Sequence, residues 1–495
     1  MGLLLGIDLG SQSLKAALLD ERLTLLGSGR RSYPIAFPRP GWAEQDPRLW
    51  EDALGPAIAD ALAAVGSKPG DVVALGVAGQ LDGCIPVDAK GHLLHAALIW
   101  MDRRADASLS RVRHRLGTKR VRALTGANLD GTHMAPKMRW LIDETEAGKA
   151  ASLFHQPVTY MVERLTGACA IDHGLASTSL VYGLAEGNWL PELMAAFELQ
   201  PRLLPSLRRS EDRAGRLNAE GARLTGLPAG IPVAVGTGDD FSTPLGAGVV
   251  DPGPVVVVLG TGEVVGAIHP MPTIDQESLV ETHAYPGGAY LIENPGWLCG
   301  GALVWLKELL GIADFAALDN LAAEAPAGAD GLLFLPALTG AMAPEWVPGA
   351  RGCFYGLTPS HGRAHWARAL LEGCAFAMRD VTDRLAQMGL ETESLLLLGG
   401  GARSRIWGQI RADLTDLPVQ LPQEIESSPI GAAMLATVAA GRIADLRQAA
   451  ALVRGTRQTL QPIPDHKAVY DGAYDRYRRL FAALKPLYEP AVPVR

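Results

Sequence analysis

The strongest constraint on how this 495-residue chain can fold is a short unit that occurs twice. Residues 3–7 are an unbroken apolar run, Gly10-Ser11-Gln12-Ser13 is a polar turn, and residues 14–19 are apolar again apart from Lys15. Short apolar runs bounded by turn residues read as buried strands. Near mid-chain, residues 255–259, Gly260-Thr261-Gly262 and residues 264–268 repeat the pattern. Two such strand–glycine turn–strand units predict two related domains. Gly and Pro cluster between Gly246 and Pro254, so the boundary is drawn there, giving domains 1–246 and 247–495.

Elsewhere the two periodicities alternate. Residues 50–65, 137–144, 303–310, 366–388, 406–414, 429–439 and 468–484 read as helices. Residues 72–77, 231–235, 332–335 and 395–398 read as strands. Mixed elements throughout predict an α/β protein. Tyr470, Tyr474, Tyr477, Phe481 and Leu484 recur near helical spacing, a stripe expected to pack in the core.

Bulk properties narrow the function. Hydrophobic residues make up 48% and charged residues 20%, which suits a globular protein and not a disordered one. A net charge of -8 argues against a nucleic-acid binder. Cys84, Cys169, Cys299, Cys353 and Cys374 are scattered with no C-x-x-C pair, as expected of reduced, mostly buried thiols in the cytoplasm. His361 and His365 lack a third ligand, so a structural role is expected over metal binding. The N-terminus has no basic segment, and no run of about 18 apolar residues occurs, so neither a signal peptide nor a membrane span is expected. A homodimer is compatible with the chain.

Four loops carry chemistry. Asp8 follows directly on a buried strand, where a lone carboxylate is costly and a bound Mg²⁺ would compensate it. Gly10 lets backbone N–H groups approach phosphate oxygens; Ser11, Gln12 and Ser13 add donors, and Lys15 adds positive charge. The same residues also make a plain polar hairpin. Gly260, Thr261 and Gly262 have the same character, and two such loops facing across a cleft would cradle a triphosphate. No Gly-x-x-x-x-Gly-Lys-Ser/Thr segment occurs, so a Walker-type site is not available. Asp239 and Asp240 end a strand, where a carboxylate at a cleft mouth can accept a proton from an attacking hydroxyl; the alternative is an aspartate capping the next helix. Gly399-Gly400-Gly401-Ala402 leaves room for something flat, such as a base and ribose, or is a tight turn; Ser404 suits a helix start.

Taken in order with Trp42 to Pro47, Gln80-Leu81-Asp82-Gly83, Trp100-Met101-Asp102-Arg103-Arg104, Lys137-Met138-Arg139-Trp140 and Gly352 to Leu357, these loops resemble the FGGY carbohydrate kinase family, most closely its xylulokinase-like members. The resemblance spans nearly the whole chain. It implies two ribonuclease-H-like domains of the actin-like ATPase fold, flanking a cleft for ATP and sugar. It implies Mg²⁺ organised by Asp8 and Asp239, with Asp239 also the catalytic base. Gly10, Ser11, Gln12, Ser13, Lys15, Gly260, Thr261 and Gly262 would meet the phosphates. Gly400, Gly401, Ala402 and Ser404 would line the adenosine site. Gln80, Leu81, Asp82, Trp100, Asp239 and Asp240 would meet the sugar.

The chain departs from the pattern in places. Xylulokinases commonly carry Gln-Met-His-Gly where this chain has Gln80-Leu81-Asp82-Gly83. A carboxylate there can accept from two vicinal hydroxyls, or it can merely cap a turn. An arginine expected in the Gly340 to Pro344 stretch is missing. D-Xylulose is the leading substrate, with ribulose, erythritol and glycerol as alternatives. A non-catalytic sugar sensor or an actin-like chaperone ATPase is a different class; residues 42–47 and 80–83 speak against the second, and intact Asp8 and Asp239 against the first.

Overall fold

A computed structural model of the chain describes residues 2–453 and 457–488; the expected domain ends at 1 and 495 lie outside them. The first sheet contains β1 (Leu3–Leu9), β2 (Ser13–Leu19), β3 (Leu25–Ser32), β4 (Val72–Gly79), β5 (Arg213–Arg216), β6 (Pro232–Ala234) and β7 (Thr237–Gly238). The second contains β8 (Pro254–Leu259), β9 (Gly262–His269), β10 (Glu281–Tyr285), β11 (Ala289–Leu298), β12 (Ser394–Leu398), β13 (Val419–Pro422) and β14 (Arg457–Leu460).

The strand orders are β5-β6-β4-β1-β2-β3, with β7 also on β4, and β10-β11-β9-β8-β12-β13-β14. In each sheet a hairpin (β1–β2, β8–β9) extends antiparallel into a third strand (β3, β11). On its other side lie two parallel strands (β4 and β6, β12 and β13). The two sheets therefore share one core order, that of the ribonuclease-H-like, actin-like architecture, and the repeated unit of the sequence is its central hairpin. Strand β1 is buried along its whole length, which explains its unbroken apolar run.

Parallel strands bring their carboxyl ends to one edge, where open α/β sheets bind ligands. Gly10, Gln80 and Asp239 follow β1, β4 and β7 there, and Gly260 and Gly399 follow β8 and β12.

Seven helices matter for the site and its support: α1 (Pro47–Val65), α2 (Met134–Glu144), α3 (Asp239–Gly246), α4 (Arg363–Gln387), α5 (Arg405–Thr415), α6 (Ser428–Ala439) and α7 (Pro464–Leu484). Asp46 caps α1 through the Arg48 N–H, and Ser404 caps α5 through the Trp407 N–H, as its position suggests. The aromatic stripe of α7 is core: Tyr470, Tyr474, Tyr477 and Phe481 are buried, with Leu484 packed at their edge. No helix of the described residues is long and apolar enough to cross a membrane.

Helix α6 follows the second sheet's last parallel strand yet packs on the first sheet, against β1 and β4. Glycine makes the approach possible. A Cβ on Gly6 would lie 1.8 Å from the Pro429 carbonyl oxygen, and one on Gly76 1.9 Å from that of Ala432. Where α6 crosses α3, Gly246 and Gly431 are equally tight, and the Ser242 and Ser427 hydroxyls each donate to a carbonyl of the opposite helix at 2.7 Å.

A Gly76→Ala change therefore has to push α6 off the sheet. Its unfolding free energy in denaturant should fall by about 1–3 kcal/mol or more. Gly253→Ala, where an added Cβ meets nothing within 4 Å, should stay within about 0.5 kcal/mol of the parent.

Candidate active site

The β1–β2 turn is held from behind. The Gly10 N–H donates to Ser13 O at 3.1 Å, the Tyr33 hydroxyl to Gly10 O at 2.6 Å, and Gln45 Nε2 to Ser11 O at 2.6 Å. Trp100 Nε1 donates to Ser11 Oγ at 2.8 Å, so a residue expected at the sugar sits against the turn expected to meet the phosphates. Ser13 is buried and accepts from Arg30, whereas Gln12 is exposed. Lys15 stands 2.9 Å from Glu426 and 3.9 Å from Asp8. Lys15, then Arg30 and Arg403, hold the Glu426 carboxyl below the usual range.

Asp8 is buried and its Oδ1 has no hydrogen-bond partner. Burial pushes its carboxyl above the usual range, with Lys15 opposing. Asp239 and Asp240 occupy the first turn of α3, whose cap is Gly238; neither aspartate caps the helix. Both side chains are partly open to the cleft and are favoured by the helix N-terminus. Asp239 is raised well above the usual range by burial, then by Asp240 and Asp8. Burial lifts Asp240 to about 6, with His283 opposing and Asp82 adding.

On the sugar side, the backbone of Asp82 takes a left-handed turn at φ 58°. Its N–H donates to Gln156 Oε1 at 2.9 Å, and the Lys137 ammonium donates to Asp82 O at 2.7 Å, Ile99 O at 2.8 Å and Thr132 O. These bonds fix the turn without the Asp82 carboxylate, which instead faces His133 Nδ1 at 3.2 Å and leaves Oδ1 unpartnered. Gln80 Nε2 donates to Gln45 at 2.8 Å, and Leu81 packs over Gly238. Three sequence segments meet below: Arg104 pairs with Asp102 at 2.7 Å and Glu44 at 2.8 Å, and lies over Trp42 and Trp140.

The sequence reading missed the second domain's contribution to this side. Strand β10, the edge strand of its sheet, docks on the first domain while staying paired to β11: Thr282 N–H donates to Gly126 O at 3.0 Å and Ala284 N–H to Ser177 Oγ at 3.1 Å. Its Glu281 accepts from the Asn128 N–H at 2.8 Å, and His283 packs 6.2 Å from the Phe241 ring. Glu293 on β11 stands opposite Glu281; burial, then Asp240 and Glu281, raise its carboxyl well above the usual range.

In the second domain, Gly260, Thr261 and Gly262 are exposed, with Thr261 O held by the Cys299 and Gly301 N–H groups. A Cβ on Gly400 would meet nothing, while one on Gly401 would strike Leu259, so the glycine turn rests on the end of β8 just before Gly260. Ala402 is buried beneath it. Also missed was a fully buried pair: Arg411 of α5 forks onto Glu263 of β9 at 2.5 and 2.8 Å, with Cys299 Sγ 2.8 Å from the same carboxylate. His361 and His365 accept from nearby backbone N–H groups, and all five cysteines are free, with Cys169 exposed.

Residues 3–246 match the N-terminal domain, and residues 255–440 the C-terminal domain, of the FGGY family of carbohydrate kinases. The chain belongs to this family. It is 32% identical over 489 residues to xylulose kinase of Escherichia coli K12, covering 98% of this chain and 99% of that one. It is 30% identical over 486 residues to glycerol kinase of Thermococcus kodakarensis, covering 96% of each. Xylulose kinase from Rhodospirillum rubrum, a solved structure, superposes with a TM-score of 0.89 at 30% identity, over 98% of this chain and 99% of that one.

In this FGGY kinase the Asp82–His133 pair has a pH signature. Burial alone would lower the His133 pKa, but Asp82, then Glu281 and Asp130, outweigh it and raise it to about 9. The charged imidazole thus stabilises the fold below pH about 6.5, and that contribution is lost as pH rises toward 9. His133→Gln should melt below the parent at pH 6, and the gap should close by pH 9.5.

Proposed function

We propose that this chain transfers the γ-phosphoryl group of MgATP to a hydroxyl of a ketose or short polyol, with D-xylulose the leading acceptor and ribulose, erythritol and glycerol next. The carrying observation is Asp239, placed at the carboxyl ends of the parallel strands, in the field of Asp8, and open to the cleft. Xylulose and glycerol kinases stand at nearly equal identity to this chain, 32% and 30%, which supports phosphoryl transfer to a polyhydroxy acceptor.

A sugar hydroxyl is a weak nucleophile, and transfer needs positioning, charge neutralisation and a proton acceptor. In the proposed division, residues 1–246 hold the sugar, the first phosphate loop and the base, and residues 247–495 hold the second phosphate loop and adenosine. Asp8 Oδ1, buried and unpartnered beside Asp239, suits a hard cation. Asp8 and Asp239 would hold the Mg²⁺ there, without a third His, Cys, Asp or Glu grouped with them among the described residues. When bound, Mg²⁺ neutralises charge on the transferring phosphate. The Gly10 and Gly260 N–H groups close their own turns, leaving the Ser11, Gln12 and Thr261 N–H groups to meet the phosphates. Asp239 takes the hydroxyl proton as that oxygen bonds to phosphorus, and the β–γ bridging oxygen leaves with ADP. Asp82 Oδ1 accepts from the substrate. The free cysteines suit a reducing cytoplasm.

ATP consumption measured against a panel of sugars and polyols should depend strongly on the acceptor; turnover indifferent to every acceptor removes the kinase reading. Asn at 239 keeps the shape but cannot take the proton, so Asp239→Asn should lose about 10²–10⁴ in turnover while sugar and MgATP still bind. Asp240→Asn should lose far less. The reverse order would assign the base to Asp240.

A further inference from the structure

Lys137 is fully buried near the start of α2, whose cap is His133. A cation near a helix N-terminus stands against the helix dipole, and burial adds to that cost. A methionine of similar length would avoid both. What the ammonium supplies instead is three bonds to three separate segments. It donates to Asp82 O at 2.7 Å, to Ile99 O at 2.8 Å and to Thr132 O.

Each of these carbonyls lies at, or directly before, a residue of the sugar side. Asp82 carries the first itself, on its left-handed turn. Ile99 precedes Trp100, whose Nε1 reaches Ser11 Oγ. Thr132 precedes His133, which stands 3.2 Å from the Asp82 carboxylate. The segments have other ties, but these run apart: the Asp82 N–H donates to Gln156, Ile99 O also accepts from the Asp102 N–H, and the Thr132 N–H donates to Asp130 at 2.9 Å. The ammonium joins all three. It has three N–H donors and no acceptor, so every donor is used. A neutral amine keeps two donors and a lone pair, and must let one buried carbonyl go.

That release lies within reach of ordinary pH. Burial lowers the Lys137 pKa to about 8, against the pull of Asp82, Asp102, Cys84 and Asp130. Asp102 is paired with Arg104 and Asp130 with Arg103, and burial pushes the Cys84 thiol up, so it stays neutral. Asp82 is shared with His133, which Asp82, Glu281 and Asp130 raise to about 9.

We propose that Lys137 is the positioning residue of the acceptor site, setting Asp82, Trp100 and His133 in place together through their backbones, and that acceptor binding requires all three of its N–H bonds. This rests on the kinase reading above. Lys137 touches no reacting atom; it acts through the residues it holds.

The test follows KM for the best of D-xylulose, ribulose, erythritol and glycerol from pH 7 to 9.5 on the whole enzyme. KM for the acceptor should rise about tenfold through pH 8 to 9, the worth of a lost bond to a charged group, with KM for MgATP flat. The sign separates this from unfolding: a folded pKa of about 8 below the ordinary 10.5 means that Lys137 adds stability as pH climbs across that window. The same profile in His133→Gln, which lacks the imidazole, should keep the rise. At pH 7, Lys137→Met should raise the acceptor KM about tenfold or more, again with KM for MgATP unchanged. A merely structural lysine would lower the amount of active enzyme and leave both KM values alone. A flat acceptor profile in the parent overturns the proposal, with no variant needed, and so does a rise that disappears in His133→Gln. Should no acceptor drive turnover at all, the kinase reading fails instead. Hydrogen exchange of the parent at pH 7 and 9, corrected for the intrinsic rate, then reads the lysine itself: protection lost at pH 9 in residues 80–84, 99–103 and 130–134 together supports it, and protection kept in any of the three overturns it.

Discussion

The structure turns on holding carboxylates together where water is scarce. Asp8 and Asp239 lie at the ends of strands whose own burial is complete, and each is pushed toward its neutral form by that burial. Charge confined this way is unfavourable in the free protein and becomes favourable only when a cation or a proton donor arrives. Much of the surrounding architecture serves to hold that convergence. Parallel strands align the ends, glycines in β1 and β4 let α6 brace the sheet from behind, and the turns beyond are left open in front.

The two halves show how one unit serves two purposes. In the first hairpin, Asp8 lies opposite Lys15 and keeps one oxygen unpartnered. The matching pair of the second hairpin is Val258 and Val264, both apolar. Its acid, Glu263, sits one step nearer the turn and is satisfied outright by Arg411 and Cys299. The first half keeps its charge available for a ligand. The second uses its charge to tie the strand after the Gly260–Gly262 turn to the helix that follows the Gly399–Gly401 turn. A buried pair of this kind adds little net stability, but losing one partner strands the other.

The parts legible in the sequence are those set by local chemistry. The hairpin at residues 3–19 shows in its apolar runs, the start of α5 in Ser404, and the core face of α7 in its aromatic spacing. Helix starts differ by a few residues: α4 begins at Arg363, three before its apolar pattern. The illegible parts depend on long-range contact. Glu263 and Arg411 are 148 residues apart and neither lies in a distinctive motif. Glu281, His283 and Glu293 sit on strands with mixed patterns, and the contacts of β10 with Gly126 and Asn128 join residues some 150 positions apart. Gly6, Gly76 and Gly431 were the available signal for the α6 contact, since glycine inside a strand or helix marks close backbone approach.

The central claim is that the cleft carries a phosphoryl group from nucleotide to sugar and not to water. Phosphorus NMR of MgATP incubated with the enzyme and its best acceptor reads this directly. Transfer across the cleft predicts a phosphomonoester signal that grows in step with ADP, with little inorganic phosphate. Inorganic phosphate growing in step with ADP, with or without the acceptor, would contradict it.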